Sequence, residues 1–179
     1  MQIIRDFVGH ELEWVKPNWL LNDYDLRPDE STILAQMRLR GSAGAEVAVA
    51  GGAYGIQRQG FWKPKLLVTQ GDPPLAVATL ARIGDGGALD FGDGRTQQYV
   101  WRRARTLSAS YFWEDSAGRP VLHAYPSELK DRIRITFEPV ASQSARVEVL
   151  IMLAGFLTII AYAPGAAPSG RTPTIDAGG

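Results

Sequence analysis

The stretch VEVLIMLAGFLTIIAYA, Val147 to Ala163, decides how this chain is read. Its one charge, Glu148, sits near its start, and apolar residues cover its whole circumference. A helix of that kind must be surrounded on every side, by lipid or by protein. Seventeen helical residues span about 25 Å, whereas a bilayer core of about 30 Å asks for about 20 residues. Two readings follow. Residues 147–163 span a membrane, with Arg146 and earlier positive charges on the inner side, or the rest of the chain wraps around them. Ser142-Gln143-Ser144 supplies hydroxyls to cap the helix, and Pro164-Gly165 stops it. The helix is therefore expected over 145–163, followed by a disordered Pro/Gly-rich tail over 164–179.

Outward from that stretch, the preceding chain reads as short strands and turns. Trp14 to Leu21 opens the pattern, and Tyr24 to Leu26 follows the Asn22-Asp23 turn. Ser31 to Arg40 alternates, with Ile33, Ala35, Met37 and Leu39 on one face and Gln36, Arg38 and Arg40 on the other. Strands are expected over 46–50, 53–58, 65–70 and 75–82, punctuated by Gly- and Pro-rich turns. Ala88 to Phe91 and Thr96 to Arg103 flank Gly92-Asp93-Gly94 as a hairpin. Leu107 to Trp113 and Pro120 to Tyr125 flank a second turn, and Arg132 to Glu138 alternates again. Ser127 to Lys130 reads as a helical turn. Ten to twelve short strands at this spacing predict a barrel or sandwich. A helix is about 10–12 Å across, and a closed sheet of about a dozen strands has room for it. The expected fold is mainly β: a closed antiparallel β-barrel of about twelve strands around a central hydrophobic C-terminal α-helix. A lead-in over 1–13 precedes the barrel domain at 14–163.

The strand Ser31–Arg40 and the corner Gly60-Phe61-Trp62-Lys63-Pro64 belong to a wider pattern. It continues through Leu89-Asp90-Phe91-Gly92-Asp93-Gly94 and Tyr111-Phe112-Trp113-Glu114-Asp115-Ser116-Ala117-Gly118, and ends in Val147–Ala163. In this order of elements the chain resembles the Tubby-like superfamily, in its phospholipid scramblase and LURP-one-related branch with small bacterial members. The resemblance covers residues 14 to 163 and implies a twelve-stranded barrel around a central helix. It also implies contact with anionic lipid, since Tubby proteins bind phosphoinositides through basic residues on the barrel. Scramblases are linked to lipid translocation and calcium. This chain lacks their calcium segment and Cys-rich region, so those activities are not carried over.

The residues narrow the function by exclusion. The 179-residue chain has 19 Lys+Arg against 19 Asp+Glu, two His and no Cys. Neutrality argues against a nucleic-acid binder, which shows a basic excess. Without Cys there are no disulfides, thiolate metal sites or Cys nucleophiles, and the default compartment is the cytoplasm, with membrane association open. Met1 to Trp14 carries Arg5, Asp6, Glu11 and Glu13, unlike a signal peptide. His10 and His123 stand far apart, and a structural role outweighs a catalytic one for each. Asp90-x-x-Asp93-Gly94 departs from a calcium loop, and turn geometry accounts better for Asp85, Asp90 and Asp93. Gly41-Ser42-Ala43-Gly44 is not a nucleophile elbow. No catalytic residue, metal site or cofactor is assigned, and the chain is read as non-enzymatic.

The basic residues remain. Lys63 with Lys65, Arg103 with Arg105, and Arg132 with Arg134 each share a strand face. They are the candidate lipid-binding residues, able to meet lipid or inositol phosphates. The plainer reading is that outward strand faces need charge for solubility and to discourage edge pairing. The expected partner is anionic phospholipid or a membrane surface. A protein partner, with the chain as an interaction scaffold of unassigned role, is the alternative. Trp14, Trp19, Trp62, Trp101 and Trp113 are expected in the core or at the barrel rim.

Overall fold

A computed structural model describes residues 3–18, 20–60, 64–71, 73–80, 86–92, 99–103, 110–127, 132–143 and 146–162. Twelve strands run in order: β1 (Leu12–Val15), β2 (Asp23–Arg27), β3 (Ala35–Leu39), β4 (Gly44–Val49), β5 (Gly52–Gln59) and β6 (Lys65–Thr69), then β7 (Ala76–Leu80), β8 (Gly86–Asp90), β9 (Tyr99–Arg103), β10 (Tyr111–Glu114), β11 (Pro120–Pro126) and β12 (Arg132–Phe137). Each pairs antiparallel with its sequence neighbours, and β1 pairs with β12 to close the barrel. Closure is in register from Leu12 opposite Ile135 to Val15 opposite Arg132. The last element is the helix α1 (Val147–Tyr162).

Alternation along the strands makes the wall two-faced. Leu12 and Trp14, Ala35 and Met37, Leu66 and Val68, Trp101, Trp113, Ile133 and Ile135 are buried on the inner face. Gln36, Arg38, Lys65, Arg102 and Phe112 lie exposed on the outer one. The lumen is filled by α1. Eleven consecutive helical residues, Val149 to Ile159, are buried, and at 100° per residue they cover every face of the helix. The helix packs most closely on β11 and β12. Thr158, its one buried hydroxyl, donates to the Ala154 carbonyl at 2.8 Å and so carries no unpaired polar group into the lumen.

Two glycines let large rings enter the packing. A Cβ on Gly155 of α1 would lie 2.2 Å from Nε1 of Trp14, and one on Gly87 of β8 would lie 2.3 Å from the Trp101 ring. Trp101 and Trp113 lie 5.1 Å apart between ring centroids, their planes tilted by 31°.

Among the described residues no helix is long and apolar enough to cross a membrane. The described part of the apolar run is enclosed by the chain's own sheet, which sets aside its alternative reading as a bilayer span. The strand pattern is close to the expected one, with local departures. β1 spans Leu12–Val15 instead of running from Trp14 to Leu21. Leu12 and Glu13 therefore belong to the barrel and not to a lead-in, and a 3-10 turn at Ile4–Phe7 precedes it. Pro17 lacks the N–H a strand would need there, and ends it. At the start of β3 it is Leu34, not Ile33, that is fully buried. Asp29 Oδ1 accepts the backbone N–H groups of Ser31 and Thr32, the Leu34 N–H then pairs with the Leu26 carbonyl at 2.9 Å, and the expected alternation begins at Ala35. Ser142 and Gln143 fall in a 3-10 turn, Pro139–Gln143, while Ser144, residues 128–130 and the tail over 164–179 lie outside the described residues.

Candidate functional site: the basic exit rim

A meander places alternate connections at opposite ends of the barrel. α1 begins at the end where β6 turns into β7: Arg146 Nη1 donates to the Leu75 carbonyl at 3.4 Å, and its guanidinium lies 4.9 Å from the centre of the Phe91 ring. We call this the entry end. Glu148, in the first turn of α1, complements the positive end of the helix. Burial, and after it the charge of Glu148, holds the Tyr54 phenol above its ordinary pKa. The helix then runs through the lumen to the opposite end, the exit, where Ala161 is exposed.

The two ends differ in charge. At or past the entry ends of the strands come Asp29 and Glu30, Asp90, Asp115 and Glu138. Several are engaged in turns. Asp90 Oδ1 accepts the Gly92 N–H at 2.8 Å. Asp115 Oδ1 accepts the N–H groups of Ala117 and Arg119 at 2.9 Å each. Those bonds, led by the Arg119 N–H, hold the Asp115 carboxyl below the usual carboxylate range. Turn geometry thus explains Asp90, as its spacing suggested, while Asp85 and Asp93 lie outside the described residues. No group of three or more His, Asp or Glu that could hold a metal occurs among the described residues.

Among the described residues the exit end carries most of the cations, while Arg27 and Arg119 at the entry are paired with Asp25 and Asp115. Arg38 pairs with Asp23 at 3.2 Å, and Arg40 pairs with Glu46. Four further cations have no side-chain hydrogen bond or ion pair among the described residues: Lys16 just past β1, Arg58 near the end of β5, Lys65 at the start of β6 and Arg103 at the end of β9. The register fixes where they stand. Gln59 lies opposite Lys65, and Arg103 opposite Tyr111, so all belong to the exit ends of their strands. Arg58 continues the inner-face row of Tyr54 and Ile56, and Arg103 that of Tyr99 and Trp101. Both are nevertheless exposed. They stand at the mouth, beyond the last layer of core.

The six candidate residues therefore divide. Lys63 and Arg105 lie outside the described residues. Arg132 and Arg134 face outward but are committed to carboxylates: Arg132 to Glu13 at 2.8 Å, Arg134 to Glu13 at 3.0 Å and to Glu11 at 3.5 Å. Lys65 and Arg103 are at the exit rim. β6 and β12 are six strands apart in a ring of twelve, with β9 midway. The four described candidates are thus spread round the wall and do not converge on one headgroup pocket. Lys16 and Arg58 were not legible as partners of Lys65 and Arg103. The available signal was the meander itself: sorting alternate turns by end puts these cations together.

Two other features lie on the outer wall. A hollow of about 550 Å³ crosses β3 to β5, lined by Gln36, Ala48, Ala53, Gly55 and the Asp23–Arg38 pair. It forms where outward positions are small. On β10 and β11, His123 stacks on Phe112 at 4.0 Å and leans on Tyr125 at 4.8 Å. Burial pushes the imidazole below its ordinary pKa. His123 thus sits in an outer aromatic ladder with Phe112 and Tyr125.

No protein-family model, no curated protein and no solved structure matches this chain.

Proposed function

We propose that this protein is a non-catalytic, Tubby-like β-barrel that binds anionic phospholipid through its exit rim. The carrying observation is the position of the unpaired cations. In a chain of zero net charge, Lys16, Arg58, Lys65 and Arg103 all stand at one end, and among the described residues the acidic turns stand at the other. A ring of cations is ill suited to one headgroup and well suited to a plane. Each Lys or Arg near an anionic leaflet contributes about 1 kcal/mol. The paired Arg132 and Arg134 add little, because their fields are cancelled by Glu13 and Glu11. The resemblance to lipid-binding barrels supports the same reading.

Sedimentation with vesicles tests it. The protein pellets with an equimolar mixture of phosphatidylcholine and phosphatidylglycerol at low salt, stays in solution with phosphatidylcholine alone, and is released as salt rises. The double substitution Lys65→Gln, Arg103→Gln removes about 2 kcal/mol of attraction, which is more than tenfold in affinity. Arg119→Gln, at the entry end, leaves binding unchanged. Equal sedimentation with neutral vesicles, or equal losses from both ends, contradicts the proposal.

A further inference from the structure

We infer that the exit rim meets the bilayer with the β1–β2 turn leading, and that Leu20 and Leu21 insert below the lipid headgroups. This deepens the membrane reading above and rests on it. Leu20 is 69% exposed and Leu21 49%. Two adjacent leucines held in water at a basic end have no role in the core. The other exposed large apolar residues of the described chain do not share that setting: Ile3 precedes the first turn, and Phe112 is stacked on His123.

The turn that carries the pair is built and anchored. Pro17 ends β1. Asn18 then closes the turn, its Oδ1 accepting the Leu20 N–H at 2.9 Å and its carbonyl accepting the Leu21 N–H at 3.1 Å. On the far side, the Leu39 N–H donates to the Asn22 carbonyl at 2.9 Å and ties the turn to β3. The backbone N–H groups of both leucines are therefore hydrogen-bonded, and their side chains are left in water. Lys16, unpaired, stands at the foot of the same turn. An apolar tip on a rim that also carries Lys16, Arg58, Lys65 and Arg103 complements a surface that is anionic outside and apolar beneath. A water-exposed protein interface would offer the leucines a pocket but would not call for a whole ring of cations around the barrel mouth.

The native chain has no cysteine, so a single introduced one takes a label cleanly. Leu20→Cys, carrying an environment-sensitive fluorophore, is mixed with equimolar phosphatidylcholine and phosphatidylglycerol vesicles. The emission shifts to the blue and is quenched by lipids bearing a nitroxide high on the acyl chain. The same label on Ala50→Cys, exposed in the turn at the entry end, shows neither effect. In parallel, Leu20→Ser with Leu21→Ser weakens vesicle binding by about tenfold with the melting transition unchanged, because both side chains are exposed in the free protein. Sedimentation with an aqueous-like signal from position 20, or undiminished binding of the double serine variant, overturns the insertion and leaves the membrane reading standing. Absence of sedimentation by the native chain overturns both. Capture by a protein but not by vesicles assigns the rim to a protein interface and also overturns both.

Discussion

Leu153→Asp is expected to yield no folded protein at neutral pH. Leu153 is fully buried near the middle of α1, with the barrel wall on every side of the helix. Removing its side chain costs about 2–5 kcal/mol in lost transfer and cavity. A carboxyl in that lumen must then be neutral. Protonating an ordinary aspartate at pH 7 costs roughly 4 kcal/mol, three units at 1.36 kcal/mol each. The sum, about 6–9 kcal/mol, rivals the whole stability of a typical domain, about 5–15 kcal/mol. Circular dichroism and a thermal melt check it: no cooperative transition is expected. Leu20→Asp places the same group at the exposed exit turn and is expected to change stability by less than about 0.5 kcal/mol. Leu153→Met keeps volume and polarity and costs under about 1.5 kcal/mol. If Leu153→Asp melted like the native chain, the helix would have a wet face.

Gly155→Leu is expected to be almost as damaging, for the opposite reason. Intrinsic preference alone favours any non-glycine residue in a helix, by up to about 1 kcal/mol. Packing reverses that. A Cβ at position 155 already meets Trp14 at 2.2 Å from Nε1 and 2.5 Å from Cδ1, and Trp14 is itself fully buried in β1. Four added carbons have nowhere to go, and a loss of more than about 3 kcal/mol follows, at or beyond the upper end of ordinary overpacking. Trp14→Ala alone opens a void and costs about 3–5 kcal/mol. Together the two changes exchange volume across one contact. The double variant should be more stable than the sum of its parts by at least about 2 kcal/mol. Urea unfolding of the four proteins in the cycle measures this coupling. Simple additivity would separate Trp14 from α1 and remove the contact that fixes the helix in the lumen.

The barrel and its filling were legible because both depend on hydrophobic pattern. Ala35, Met37 and Leu39 alternate against Gln36 and Arg38, and wrapping the sheet round the apolar run buries Val149–Ile159 on every face without lipid. What pattern reading lost was local and polar. The apolar Trp14-to-Leu21 run looks like a strand until Pro17 and Asn18 are given their backbone consequences; they turn the last part of it outward. Leu34 is buried ahead of β3 because its N–H pairs with the Leu26 carbonyl, a contact the alternation does not report. The candidate cations were chosen by strand face, which says whether a charge points out but not how far along the barrel it stands. Arg132 and Arg134 share a face as expected, yet β1 closes against β12 and brings Glu13 beside them. That neighbour is 119 residues away from Arg132 in sequence and no local pattern reports it. Lys65 and Arg103 matter instead for their height at the rim, which follows from strand order.

The enclosure of α1 underlies both the shape of the rim and the freedom of its cations. The most direct measurement is a through-space proton contact between the Trp14 indole N–H and the Gly155 α-protons in the nuclear magnetic resonance spectrum of the intact chain. A strong cross-peak is predicted, because a Cβ built on Gly155 would lie only 2.2 Å from Trp14 Nε1. A well-dispersed barrel spectrum in which Trp14 shows no contact to Gly155, Ala154 or Phe156 would place the helix outside the sheet and contradict the account.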